Sequence, residues 1–197
     1  MAPSALRETV LRAAVDYIAD HGPDGLSFRQ LATDAGVSHQ APYHHFVDRK
    51  GIFRAIASEG FTQLAAALRD VEGETEADRA LVLLERYVEF ALDNRGHFRV
   101  MFRSELCVME SDPALQSIAD EAFGALVDHV QADLGPQASL AEIRVRATAM
   151  WSLAHGLATL LIDGPLEVKI GEVADRRAFI RAVGAQMMLG QPKPPEN

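Results

Sequence analysis

The chain has 197 residues, of which 48% are hydrophobic and 24% are charged, and this composition predicts a soluble globular protein of one or two small domains. A single cysteine, Cys107, excludes an internal disulfide and is typical of a reducing cytoplasm. The formal net charge of −9 argues against a nucleic-acid partner, but residues 1–50 hold five Lys/Arg and six Asp/Glu, so the acidic excess lies mostly beyond them.

The chain carries no predicted targeting or membrane segment. Its first residues, MAPSALRE, hold no apolar stretch of the kind that a signal peptide needs. The longest uncharged run, Ala147–Ile162, is shorter than the roughly 20 residues of a spanning helix. We therefore expect a cytoplasmic protein without a membrane partner.

Apolar residues recur at helical spacing along almost the whole chain, and strand patterns are nearly absent. Capping residues, glycines and prolines divide the helical stretches, and Ser139 followed by Glu142 is typical of a capping box. The pattern predicts an all-α protein of about nine helices: helix 1 from about Ser4 to Ala19, helices 2 and 3 in a hairpin that begins at Ser27, helix 4 from Asp48 to Asp70, helix 5 from Thr75 to Asp93, helix 6 from His97 to Cys107, helix 7 from Asp112 to about Gly135, helix 8 from Ser139 to Ile162, and helix 9 from about Glu172 to Leu189.

The hairpin carries the most specific pattern in the sequence. Ser27 followed by Gln30 is typical of a capping box at the start of helix 2. Gly36 lies where the chain must reverse, and Ser38 is expected to cap helix 3. Pro42 then falls in the first turn of helix 3, where a proline costs less than in a helix interior. This arrangement predicts a helix-turn-helix, which places its second helix in the DNA major groove.

The same stretch supports a family resemblance. Residues 6–56 resemble the DNA-binding domain of the TetR family of transcriptional regulators, through Leu31-Ala32, Ala35-Gly36-Val37-Ser38, Tyr43, His45-Phe46 and Arg49-Lys50. The resemblance implies a helix-turn-helix DNA-binding domain over residues 1–50 and a helical domain over 51–190 that binds a small-molecule effector and forms a homodimer. Residues 191–197 are proline-rich, and we expect them to be disordered.

The hairpin supplies the candidate DNA contacts. The first turns of a recognition helix reach base edges, whereas flanking groups bind phosphates. The base-reading candidates are His39, Gln40 and Ala41, and the backbone-binding candidates are Ser27, Arg29, Ser38, Tyr43, His44 and Lys50. A metal site at His39, His44 and His45 is the alternative, but adjacent histidines on a helix diverge by about 100° and no second ligand pair stands at metal spacing. We expect neither a metal nor a cofactor.

Predicted helices 8 and 9 are the expected dimer interface. The segment MWSLAHGLATLLI is apolar almost all round, and such a helix must be covered on several sides. Trp151, His155 and Gly156 also resemble a tryptophan–histidine–glycine signature of one subgroup of the family.

Bulky aromatic and sulfur side chains are the effector-binding candidates, although each such residue is more often part of a plain core than a ligand contact. They are Tyr87, Phe90, Phe98, Met101, Phe102, Phe123, Trp151 and His155. The sequence leaves open which effector binds, which operator is recognised, and whether Cys107 has a redox role.

These patterns predict a homodimeric DNA-binding regulator, most often a repressor in the resembled family, that a small molecule releases from its operator. One alternative is a helical module that binds DNA without specificity or binds a protein. Another is a helical enzyme in which His155 acts with Ser152 and Asp163, but no nucleophile elbow surrounds the serine. We therefore do not expect an enzyme.

Overall fold

The computed structural model describes residues 3–107 and 112–189, and every regular element within those ranges is a helix. The all-α class predicted from the sequence is therefore confirmed. The helices of the described residues are α1 (Pro3–His21), α2 (Phe28–Asp34), α3 (Ala41–His45), α4 (Arg49–Leu68), α5 (Glu76–Asp93), α6 (Arg95–Met101), α7 (Ser104–Cys107), α8 (Pro113–Leu134), α9 (Leu140–Ile162), α10 (Pro165–Ile170) and α11 (Arg176–Leu189).

The described residues form eleven helices rather than the predicted nine. Predicted helix 6 is interrupted, because Phe102 leaves the helical conformation at φ −104° and ψ 9° and ends α6. A further short helix, α10, which was not predicted, follows Gly164, whose φ is +77°. The predicted tail, residues 191–197, lies outside the described residues.

The chain forms two compact units, and neither is a single stretch of sequence. The first unit comprises the chain up to Ala65 together with Asp93–Ala122, and the second comprises Ala66–Leu92 together with the chain from Phe123. Helices α4, α5 and α8 each contribute residues to both units. Each unit groups residues that contact one another in space, so the boundaries of the units differ from those of the segments 1–50 and 51–190 predicted from the sequence.

The first unit is built on the packing of α1 against α6. The apolar stripe of α1, which includes Val10, Ala14 and Ile18, is fully buried. Arg99 of α6 donates hydrogen bonds to the carbonyl oxygens of Ile18 (3.3 Å) and Ala19 (2.9 Å). Both carbonyls lie in the last turn of α1. The Ile18 oxygen also accepts the Gly22 N–H at 2.9 Å, but the residue four positions after Ala19 is Pro23, which has no N–H to donate. The guanidinium therefore satisfies the carboxyl end of α1 from a second helix.

The second unit contains ion pairs between α5 and the helices that follow it in sequence. Glu85 of α5 is buried and contacts both Arg177 and Arg181 of α11. Arg181 also contacts Asp78 at 2.6 Å. Because Glu85 is removed from water, its charge requires these partners, and they fix α11 on α5.

Helix α9 carries an unusually large uncovered apolar surface. Leu140–Ile162 is long and apolar enough, by length and composition alone, to cross a membrane, and only 28% of its most apolar stretch is buried within the chain. Its amino end is polar, because Ser139 and Glu142 form the predicted capping box. Large apolar side chains therefore remain exposed along α9, among them Val145 and Leu160.

We predict that Gly96→Ala destabilises the first unit. A Cβ at residue 96 would lie against the Val15 carbonyl oxygen and 2.9 Å from Val15 Cγ1, so α6 would have to move away from α1. We expect a loss of about 1–3 kcal/mol in unfolding free energy, measured by urea denaturation with circular dichroism. Gly124→Ala is the matched control, since a Cβ there meets no atom within 4 Å. Equal midpoints for the two variants would contradict the close packing of α6 on α1.

Candidate nucleic-acid interface and apolar cavity

The hairpin of α2 and α3 is closed by a glycine turn. Gly36 has a φ of +64°, a conformation that favours glycine. The Gly36 N–H donates to the Thr33 oxygen (3.1 Å) and the Val37 N–H to the Ala32 oxygen (2.9 Å). This pair of bonds is the Schellman motif, which satisfies the last carbonyls of α2 and redirects the chain.

The amino end of α2 is capped by Ser27 as the sequence predicted, but only one of the two hydrogen bonds of a capping box forms. The Ser27 hydroxyl accepts the Gln30 N–H at 3.2 Å. The Gln30 side chain donates instead to Asp34 Oδ1 at 2.8 Å, one helical turn further on. Ser27 therefore remains on the exposed amino end of α2.

The prediction that Ser38 caps the recognition helix is wrong. The Ala41 N–H bonds to the Ser38 carbonyl at 2.9 Å, which makes a single turn, and α3 begins at Ala41 with Gln40 as its cap residue. Pro42 explains the shift, since it stands in the first two helical positions, where no intrahelical N–H is required. The helix is thus shorter than expected.

This later start changes which side chains face outward. His39, Gln40, Tyr43 and His44 are exposed, whereas Ala41 is only 5% exposed. The base contact expected of Ala41 therefore does not fit the structure. The Tyr43 ring packs edge-on against Phe28 of α2, with centroids 4.5 Å apart, so its position is fixed although most of the residue is accessible.

The phosphate-binding candidates flank this exposed segment in sequence. Ser27, Arg29 and Lys50 are exposed, as is Ser38. Arg49 is oriented by the protein itself, because it donates to the Asp24 carbonyl oxygen at 3.2 Å and lies over the Phe53 ring. Phe46 is buried, and Arg7 lies over its ring at 5.2 Å. The exposed face thus combines hydrogen-bonding side chains with a few cations.

The described residues contain no group of three or more His, Cys, Asp or Glu arranged to hold a metal ion. Cys107 is buried, its Sγ lies 3.4 Å from the Val100 oxygen, and burial raises its pKa to about 11. A thiol with that pKa is protonated at neutral pH and is a weak nucleophile.

A small cavity of about 30 Å³ lies in the second unit. Its wall is formed by apolar side chains from the end of α4 and from α5, α8 and α9: Leu68, Ala80, Leu83, Leu84, Tyr87, Leu126, Met150, Trp151, Leu153 and Ala154. Most of them are aliphatic, and aliphatic residues carry no chemical signal that separates a cavity wall from core. Only Tyr87 and Trp151 of this wall were therefore predicted from the sequence as effector-binding residues.

A chain of hydrogen bonds links Trp151, Tyr87 and His155 at this cavity. Trp151 Nε1 donates to the Tyr87 hydroxyl at 3.2 Å, and that hydroxyl lies 3.0 Å from His155 Nδ1. Burial lowers the pKa of His155 and raises the pKa of Tyr87, so both are neutral at pH 7. Because the indole N–H can only donate, we assign the Tyr87 proton to His155 Nδ1.

The structure brings some of the other effector-binding candidates into this arrangement. The Phe123 ring lies 5.6 Å from the Trp151 ring, and Phe90 is buried in α5. Phe98, Met101 and Phe102 belong to the first unit, where Phe102 packs against Phe61 and Phe98. A single pocket lined by all the candidates is therefore not seen in either unit.

Two exposed helices joined by a glycine turn, on an all-helical scaffold, define a helix-turn-helix DNA-binding protein. Residues 10–56 match the sequence model for bacterial regulatory proteins of the tetR family, and residues 81–185 match the Tetracyclin repressor-like, C-terminal domain. The chain belongs to the TetR family of transcriptional regulators, as the hairpin motif predicted.

Comparison with individual proteins agrees with this assignment. The chain is 26% identical over 178 residues to the HTH-type transcriptional repressor AcnR of Corynebacterium glutamicum, covering 88% of this chain and 90% of that protein. It is 43% identical over 49 residues to the class A tetracycline repressor of transposon 1721 from Escherichia coli, covering 25% of this chain and 23% of that one. A solved protein of unknown function from Rhodococcus sp. RHA1 is 28% identical with a TM-score of 0.72, covering 95% of this chain and 96% of that chain.

The resemblance of Trp151, His155 and Gly156 to a subgroup signature stays a prediction, since the family model that matches residues 81–185 names no such signature.

We predict that the pH dependence of stability includes a contribution from His155. Its folded pKa is lowered by burial, whereas the unfolded imidazole keeps the ordinary value of 6.5. As the pH falls through 6.5, the unfolded chain binds protons first, and the unfolding free energy therefore declines. Burial also lowers the pKa of His97, although the Glu59 carboxylate raises it, so His97 adds to the same decline.

His155→Gln should make the decline between pH 7 and pH 5 shallower, as measured by urea denaturation at both pH values. His21→Gln, at an exposed position on α1, measures the effect of losing an imidazole outside the core. A decline as steep in His155→Gln as in the parent chain would show that His155 is equally solvated in both states.

Proposed function

We propose that the chain is a cytoplasmic homodimeric repressor that binds a pseudo-palindromic operator and is released by a small-molecule effector. The observation that carries the proposal is the set of exposed side chains His39, Gln40, Tyr43 and His44, which follow the Gly36 turn on a TetR-family scaffold. The naming of AcnR of Corynebacterium glutamicum as a transcriptional repressor supports the choice of repression.

Base reading is proposed for His39 and Gln40. A glutamine amide can pair bidentately with adenine in the major groove, and Gln40 is exposed at the start of α3. Tyr43 and His44 follow on the same exposed segment and are proposed to contact the sugar–phosphate backbone, together with Ser27, Arg29, Ser38 and Lys50. With only a few cations at this surface, affinity for non-specific DNA is expected to be modest.

The exposed apolar side of α9 is the proposed centre of the dimer interface. Helix α11 is proposed to contribute to the same interface. Val145 is 72% exposed and Leu160 is 45% exposed, one near each end of α9. Ser152 and Gly156 lie exposed between them and leave room for a second helix. Covering this face in a dimer would remove apolar surface from water. The two recognition helices would then enter successive major grooves, about 34–36 Å apart or a multiple of that spacing.

Release requires the effector to favour the DNA-free conformation. An effector bound equally well by both conformations shifts nothing, and by linkage operator DNA must weaken effector binding by the same factor. Helix α4 runs without interruption from the first unit into the second, so a change in its tilt is the proposed route. DNA binding without specificity and a protein-binding hairpin remain the alternative functions.

The test of the proposed function is selection from a pool of random DNA duplexes, followed by sequencing, at two salt concentrations. We expect enrichment of an inverted repeat, because a two-fold dimer reads the same sequence on each half-site. Binding that weakens with salt but enriches no sequence would establish a non-specific role instead. Absence of binding at low salt would favour the protein-binding alternative.

Gln40→Ala is expected to relax specificity at one base pair of each half-site. Loss of a bidentate contact corresponds to about 1–3 kcal/mol of discrimination, and the fold should be unchanged because the side chain is exposed. Binding to the selected operator and to single-base variants would be compared by fluorescence anisotropy. Gln63→Ala, at an exposed position of α4, is the control. Unchanged discrimination in Gln40→Ala would remove Gln40 from base reading.

Val145→Glu should convert the dimer into a monomer, because a carboxylate would be placed in the proposed apolar interface. Sedimentation velocity at micromolar concentration measures the change, and operator affinity should fall with it. The control is Val168→Glu on α10, where the valine is 83% exposed. A Val145→Glu protein that stays dimeric would place the interface elsewhere.

A further inference from the structure

We propose that the cavity of the second unit selects an uncharged, largely apolar effector that carries one hydrogen-bonding group. This inference rests on the proposed effector-released function, and it specifies the chemical class of the ligand.

The composition of the cavity wall favours an uncharged ligand. The helices contribute aliphatic side chains and two aromatic ones, and Tyr87 is the only ionisable residue among them. A charged group that enters such a site loses its hydration and gains no counterion. Neutral molecules avoid that penalty, so the wall discriminates by charge before it discriminates by shape.

Three partly buried arginines of the second unit have acidic partners, and a fourth, Arg86, donates to the carbonyl oxygens of Ala67 and Arg69. Arg79 donates to Asp133 at 2.9 Å, Arg146 is paired with Glu76, and Arg181 is paired with Asp78. Recruiting one of these guanidinium groups to an anionic ligand would leave its carboxylate partner without a cation. The ion pairs therefore oppose the binding of an anion in the cavity.

The polar group of the ligand would bind at the Tyr87 hydroxyl. Trp151, Tyr87 and His155 are linked by hydrogen bonds, and Tyr87 and Trp151 also form part of the wall. Trp151 is 36% exposed, so its indole can turn toward solvent and keep a hydrogen bond to water. A ligand hydroxyl can then replace the indole N–H as the donor to the Tyr87 oxygen.

The size of the cavity makes movement of Trp151 necessary. A volume of about 30 Å³ accommodates little more than water, so an organic ligand must displace part of the wall. Trp151 is the most exposed residue of the wall. Its displacement would both enlarge the cavity and release the Tyr87 hydroxyl to the ligand.

The experiment compares three probes that share one carbon skeleton: 2-phenylethanol, phenylacetate and ethylbenzene. Trp151 is the only tryptophan in the chain, so its fluorescence, excited where the phenyl probes do not absorb, reports directly on the cavity. We expect 2-phenylethanol to change the emission with a dissociation constant at least tenfold lower than that of phenylacetate. Ethylbenzene should bind more weakly than 2-phenylethanol and more tightly than phenylacetate.

Two variants test the assignment of the site. In Tyr87→Phe, the advantage of 2-phenylethanol over ethylbenzene should disappear while ethylbenzene still binds. Ala154→Leu should abolish the response to all three probes by filling the cavity, and Ala66→Leu, at an exposed position of α4 in the same unit, is its control. If Ala154→Leu does not fold, as judged by circular dichroism, the Tyr87→Phe comparison decides.

Binding of phenylacetate as tight as that of 2-phenylethanol, or no emission change with either neutral probe, would overturn the inference. Operator binding is measured separately on the same protein. Release of the operator only by charged compounds would refute the neutral class and leave the repressor function intact. Probe binding as expected in a protein that selects no operator would support the cavity chemistry and refute the effector role.

Discussion

The first unit depends on the contact between α1 and α6. Gly96 lets the two backbones approach, and Arg99 satisfies the carbonyls at the carboxyl end of α1. Helix α1 in turn packs against both α2 and α3, so the helix that supports the hairpin is itself held by a segment about 80 residues away in sequence. The hairpin alone contains too little apolar surface to form such a core, and residues 93–122 supply the remainder.

The second unit separates its charges from its cavity. Carboxylates and guanidinium groups pair with each other between helices, whereas the wall of the cavity is apolar and the His155 that adjoins it through Tyr87 is neutral. This separation has an energetic logic, since an unpaired charge beside an apolar cavity would destabilise the unit.

Local signals in the sequence were sufficient for much of the fold. The Ser139 capping box and the reversal at Gly36 were identified correctly because each depends on residues within four positions of one another. The start of α3 was predicted wrongly at Ser38, because Pro42 favours a helix that begins later, at Ala41. Nor could the sequence show that Tyr87 bonds to His155, because these residues are 68 positions apart and only packing brings them together.

Cys107 gives the first unit a built-in measure of its own opening. The thiol is fully buried, is bonded to the Val100 carbonyl, and is the only cysteine in the chain. A thiol reagent can modify it only in molecules whose packing around α6 and α7 has transiently opened. When reclosing outpaces modification, the rate of labelling therefore measures the population of the open state, and a single mass increment reports it without an added probe.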